Sequence, residues 1–126
     1  MHVTRILAIA AGGAVGALLR YWTSTAVHAR LGAAFPYGTL LVNVIGSLLM
    51  GFLYIWLLER ATEGPAVRAF LLVGLLGAFT TFSTFSLETL NLVENGQAGR
   101  ALVNILASVT LCIGAAGLGV LAARQL

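Results

Sequence analysis

Charge is what this chain has least of. Of its 126 residues only 9% are charged, against roughly 25% in soluble domains. Lysine and aspartate are missing altogether: the seven cations are all arginine, and the carboxylates are Glu59, Glu63, Glu88 and Glu94. A chain so poor in charge cannot clothe a water-facing surface, which excludes a soluble domain. One cysteine, Cys112, excludes an intramolecular disulfide and a cysteine-based metal site. Two histidines, His2 and His28, sit apart, and three of the four carboxylates fall in or beside loops. The sequence therefore offers no nucleophile–base pair and no ligand cluster, and no enzyme is expected. It has no GxxxxGK[ST] loop for nucleotide phosphates either. The net charge of +3 is spread along helix ends rather than clustered, so no nucleic-acid partner is expected.

What fills the chain instead is apolar: 60% of the residues are hydrophobic. The length allows about four spans of ~20–25 residues and little else. The reading is a single transmembrane domain over residues 1–126, with helices at about Thr4–Val27, Thr39–Leu58, Ala66–Val93 and Gly99–Ala123. Arg5 ahead of an apolar stretch mimics a signal peptide, but the stretch runs long and leads into more spans, so a retained helix is expected. Turn residues punctuate the breaks: Gly32, Pro36 and Gly38, then Gly64–Pro65, then Asn95–Gly96. Loops this short make neighbouring helices antiparallel. Small residues at Gly12 and Gly16, at Gly46, Ser47 and Gly51, and at Gly114 and Gly117 allow close helix approach in lipid.

With four spans, Arg5, Arg60, Arg68 and Arg124 share one side of the membrane and Arg20, Arg30 and Arg100 the other. Four against three is almost no bias, so the positive-inside rule selects no orientation. A chain without preference inserts both ways up, and two copies then pair antiparallel.

The polar residues inside the spans carry the functional signal. Gly74–Ser86 reads GLLGAFTTFSTFS and holds five hydroxyls and three phenylalanines. A bilayer offers no water to such groups, so protein or a water-filled path must surround them. Asn43 and Ser47 share a face of helix two, and Asn104, Ser108 and Cys112 share a face of helix four. Interhelical hydrogen bonding is the ordinary role of such residues, at about 0.6 kcal/mol each; two stripes flanking a hydroxyl-rich helix point to a solute path. Phe82 and Phe85 project from one side of helix three. Aromatic ring edges are positive, so donors and ring edges without an acid suit a small anion. Arg20 and Glu88 lie within spans, where charge is costly and often functional, unless the side chains snorkel to the interface.

Three motifs combine: GGAVGALLRYW at Gly12–Trp22, GTLLVNVIGS at Gly38–Ser47, and GLLGAFTTFSTFSLE at Gly74–Glu88. Together they resemble the Fluc (CrcB) family of bacterial fluoride channels over nearly the whole chain. The resemblance implies an all-α membrane protein with four transmembrane helices per subunit, forming an antiparallel, dual-topology homodimer with two pores in the bacterial inner membrane. It implies pore phenylalanines at Phe82 and Phe85, a pore amide at Asn43, and a hydroxyl track including Ser83, Thr84 and Ser108. Arg20 and Glu88 match charged positions of the pattern. It also implies a helix three broken near the bilayer centre, with a structural sodium ion on the dimer axis held by the backbone carbonyls of Gly77 and Thr80. Gly77 favours such a break, being worse than alanine in a helix by roughly 1 kcal/mol, and the hydroxyls of Thr80 and Thr81 compete for backbone partners.

Asn104, at a pore position of the pattern, stands where the family often has an aromatic or histidine, keeping polarity but changing shape; Ala116 stands where a hydroxyl is common, and Gly77–Ala78 where a Gly-Gly pair is common. The implied activity is passive. Hydrogen fluoride enters neutral and ionises in the cytoplasm, and the membrane potential drives the anion out through the pore. The competing reading is a small dual-topology, proton-coupled multidrug exporter. That mechanism wants a carboxylate within a span, and Glu88 is the one candidate.

Overall fold

The computed structural model describes residues 2–59 and 64–126. Arg60 and Glu63, two of the charges weighed above, lie outside the described residues. Four helical stretches are long and apolar enough to cross a membrane: Val3–Leu31, Tyr37–Glu59, Pro65–Glu94 and Ala98–Gln125. Even the 23-residue stretch is about 35 Å long at 1.5 Å per residue, enough for a bilayer core of about 30 Å. The protein is a multi-pass, all-helical membrane protein.

The first two spans are single helices, α1 (Val3–Leu31) and α2 (Tyr37–Glu59). Helix α1 stops at Gly32, whose φ of 81° lets the chain reverse while its N–H returns to the His28 carbonyl at 2.9 Å. The third span is composite. It begins as α3 (Pro65–Arg68), with proline in the first turn where its missing N–H costs nothing. It continues as a π-helix over Ala69–Leu76, then α4 (Gly77–Phe79), then α5 (Phe82–Glu94). Between α4 and α5, Thr80 (φ −91°, ψ 158°) and Thr81 (φ −152°, ψ 117°) are extended. Gly77 itself stays helical at φ −60°, ψ −38°. The departure from helix thus falls on the two threonines rather than on the glycine. A turn at Gly96, with φ 75°, leads to α6 (Ala98–Gln125).

Packing is set by glycine. A methyl group at Gly12 would overlap the Phe70 carbonyl oxygen, and one at Gly16 the Leu75 carbonyl oxygen. Gly74 answers from the other side, against the Ile9 carbonyl and Gly12 Cα. So α1 lies backbone to backbone on the π-helical segment. Helix α2 lies on α6 in the same way, with Gly51 against the Ala116 carbonyl and Gly119 against the Leu48 carbonyl. Gly114 and Gly117 have open space where a side chain would stand. They face outward rather than into this packing, and Gly119, not singled out in the sequence, makes the contact. Gly46 sits against the Thr80 side-chain methyl, which seats the extended pair against α2.

Candidate functional site

Extending Thr80 and Thr81 strips the last turn of α4 of its i→i+4 donors, and the site is built from the replacements. Thr80 still bonds back: its N–H and its hydroxyl both reach the Leu76 carbonyl, at 3.1 and 3.0 Å. The Ala78 carbonyl receives Arg20 Nε from α1 at 3.0 Å. Thr81 is gripped at both ends of its backbone by one side chain. Its N–H donates to Asn43 Oδ1 at 2.7 Å, and Asn43 Nδ2 donates to its carbonyl at 3.0 Å. The amide of Asn43 pairs with the extended residue as a neighbouring strand would. Among the described residues, the carbonyls of Gly77 and Thr80 accept no hydrogen bond.

Helix α5 then restarts on a side-chain cap. Thr81 Oγ1 accepts from the Thr84 N–H at 3.2 Å, the usual way an N-terminal orphan donor is met. The same oxygen is 3.0 Å from Thr84 Oγ1 and 3.3 Å from Ser83 Oγ.

Two cavities flank this segment. The larger, about 550 Å³, is lined by Arg20, Thr39, Thr81, Thr84, Glu88 and Asn91 among others. Glu88 Oε1 is buried there with no hydrogen-bond partner among the described residues. The smaller, about 390 Å³, is a groove lined by Asn43, Thr81, Phe82, Phe85, Ser108 and Cys112 among others. The rings of Phe82 and Phe85 stand 5.3 Å apart and tilted by 44°, a pairing that leaves ring edges open to a neighbour. Phe82 is 77% exposed on the protomer, an unusual place for a large ring beside polar groups unless another surface covers it.

The structure thus brings Asn43, Phe82, Phe85 and Ser108 together on the groove, and Arg20, Thr84 and Glu88 together on the larger cavity. Ser83 is exposed beside them. Asn104 lines neither cavity. It is buried between α5 and α6, where its Nδ2 donates to Thr89 Oγ1 at 2.8 Å and its Oδ1 accepts from Ser108 Oγ at 3.3 Å. Thr89 Oγ1 in turn donates to the Phe85 carbonyl at 2.7 Å. A polar chain therefore runs from the groove-lining Ser108 to the turn that carries Phe85.

Sequence reasoning placed Thr81 in the polar cluster but gave it no part in the site, and it did not single out Thr89. The signal for Thr89 was present: it lies as far before Gly96 as Asn104 lies after Gln97, so a helical hairpin turning at Gly96–Gln97 places them opposite one another. Phe85 and Ser108 are related in the same way. Replacing Thr89 by valine should leave the buried Asn104 Nδ2 without its partner. The expected cost is roughly 1–3 kcal/mol, read as a lower midpoint of thermal unfolding in detergent. A second substitution, Asn104→Leu, should recover part of it, because the orphaned amide is then gone. A double variant no more stable than Thr89→Val would refute this account of the pair.

The fold and the site define a multi-pass membrane protein in which a wide polar cavity and a hydroxyl- and phenylalanine-lined groove meet at an interruption of the third span. Residues 7–120 match the family described as CrcB-like protein, Camphor Resistance (CrcB), and the chain belongs to that family. It is 54% identical over 116 residues to the "Fluoride-specific ion channel FluC" of Magnetococcus marinus, covering 92% of this chain and 94% of that one. A protein of the same name from Geobacter sulfurreducens is 49% identical over 124 residues, covering 98% and 100%. One from Methylococcus capsulatus is 52% identical over 121 residues; there the match covers 96% of this chain but 53% of the relative's length, so the chain spans about half of that protein.

Proposed function

We propose that this protein is a passive, fluoride-selective ion channel that exports cytoplasmic fluoride across the bacterial inner membrane. The observation that carries the reading is the groove. It gathers Asn43, Phe82, Phe85 and Ser108 with no carboxylate among its lining residues. A dehydrating fluoride needs replacement donors, and hydroxyls with positive ring edges supply them. The larger cavity has the Arg20 cation and the Glu88 carboxylate on its wall, and Arg20 with the hydroxyls of Thr39 and Thr84 offers an entering anion its first protein donors. Relatives named as fluoride-specific channels cover nearly all of both chains, which favours this reading over the multidrug exporter. Glu88, the carboxylate an exporter would use, lies on the larger cavity rather than in the groove. Efflux from liposomes carrying the purified protein tests the reading. Fluoride should leave and chloride stay, with no coupled proton movement; equal loss of both anions would refute it.

The working unit we propose is an antiparallel, dual-topology homodimer with helix three broken near the bilayer centre. The exposed Phe82 ring and the exposed Gly77 support it, since both would gain cover from a second copy. The structural sodium fits this chain. The unpaired carbonyls of Gly77 and Thr80 are neutral, hard oxygens that must be satisfied at such depth. Two copies related by a two-fold axis would supply four such oxygens. No cluster of His, Cys, Asp or Glu suited to another metal occurs among the described residues. Long exchange into sodium-free buffer should weaken the dimer and lower fluoride flux. Unchanged association and flux after exchange would argue against the ion.

A further inference from the structure

We propose that the Thr81 hydroxyl is the hand-over point between the two cavities, a fluoride-binding and specificity-determining group of the pore. The inference rests on the channel reading above. Among the described residues, Thr81 alone lines both the larger cavity and the groove. An anion crossing from one to the other passes its side chain.

The chemistry of that side chain follows from its bonds. Both backbone groups of Thr81 are fixed by Asn43, so its hydroxyl is the part left to reorient. The hydroxyl oxygen is anchored by the Thr84 N–H. Its proton has two acceptors in reach, Thr84 Oγ1 at 3.0 Å and Ser83 Oγ at 3.3 Å. Thr81, Ser83 and Thr84 together carry three hydroxyl protons, one each. Thr81 donates to Thr84 Oγ1, while its own oxygen accepts from the Thr84 N–H and has one lone pair left for the Ser83 hydroxyl. That leaves the Thr84 proton to serve the larger cavity, which Thr84 lines. Turning the Thr81 proton away from Thr84 presents a donor to the groove, which Thr81 lines, at the cost of that one contact. The anion can therefore move between cavities without losing its donor, and no proton is transferred. Fluoride, the smallest halide and strongest acceptor, has both the largest dehydration cost and the largest gain from a short O–H contact, so a step that keeps a donor on the anion throughout matters most for fluoride.

Three variants test this by fluoride efflux from liposomes, with dimer elution in detergent as the check on folding. Thr81→Val keeps the shape and removes the hydroxyl. Thr81→Gly removes the hydroxyl at little cost to the α5 cap, because glycine caps nearly as well as threonine. Thr81→Ser keeps the hydroxyl and removes the methyl. Fluoride efflux should fall about tenfold or more in Val and Gly, equivalent to about 1.4 kcal/mol on the barrier, and stay within about twofold of wild type in Ser. If the valine variant does not fold, the glycine variant decides. Wild-type efflux from a folded Thr81→Gly or Thr81→Val dimer would overturn the proposal, as would a serine variant as slow as glycine. A wild-type protein that moves no fluoride would remove the channel reading and this proposal with it. Normal wild-type flux with unchanged Thr81→Gly removes this proposal alone.

Discussion

Fluoride efflux through Phe82→Ile or Phe85→Ile protein should fall by about two orders of magnitude, or ~2.7 kcal/mol on the barrier. Isoleucine fills much of the same space in the groove and keeps it apolar, so the change isolates the ring. What is lost is the positive edge, which in the low dielectric of a bundle interior is worth far more to an anion than in water. Neither ring is a keystone of the protomer. Phe82 is 77% exposed, and the two rings pack against each other in a tilted pair beside the groove at 5.3 Å. Isoleucine also keeps an apolar surface for the second copy proposed to cover Phe82, so dimer elution should stay unchanged while flux collapses. Flux near wild type in both variants would remove the aromatic part of the mechanism. A variant that fails to form dimers would instead assign the rings to the interface between copies.

The second large effect concerns orientation. Adding two lysines at the C-terminus should drive insertion to one side and reduce fluoride export to near background, and co-expression with an oppositely biased copy should restore it. The arginines divide four to three between the two sides, so two added cations outweigh the native imbalance. Arginines that the structure ties to main-chain carbonyls, Arg68 to Leu57 at 2.7 Å and Arg100 to Ala34 at 3.3 Å, still count, because the rule responds to charge during insertion rather than to final contacts. A reporter fused to the wild-type C-terminus should appear on both sides of the membrane. Its appearance on one side only would end the dual-topology proposal.

The four spans were legible because each is a long, predominantly apolar run closed by turn residues, and the structure reproduces them to within a few residues at each end. The gathering of Asn43, Phe82, Phe85 and Ser108 was legible from helical spacing and from the family resemblance. The π-helix at Ala69–Leu76 was not. Nothing in its local sequence marks the wider turn, which lies where Gly12 and Gly16 seat on the Phe70 and Leu75 carbonyls, a tertiary contact. The place of the extended residues was half legible. Gly77 drew attention as the poorest helix former, yet it remains helical, because what ends α4 is the grip of Asn43 on Thr81, a partner 38 positions away. The interior role of Asn104 was missed because pore-facing and core-facing amides look alike until the opposite residue, here Thr89, is known.

The pairing of α1 with the third span and of α2 with α6 also sets a schedule for biogenesis. Spans leave the ribosome in chain order at roughly 5–20 residues per second. Helix α1 therefore waits for Gly74 before its glycine face is covered, and α2 waits for Gly119, near the end of the chain. For several seconds α2 stands in lipid with bare main chain at Gly51 open to any passing helix with a matching small-residue face. Until α6 arrives, the small-residue face of α2 has only lipid or another chain against which to close.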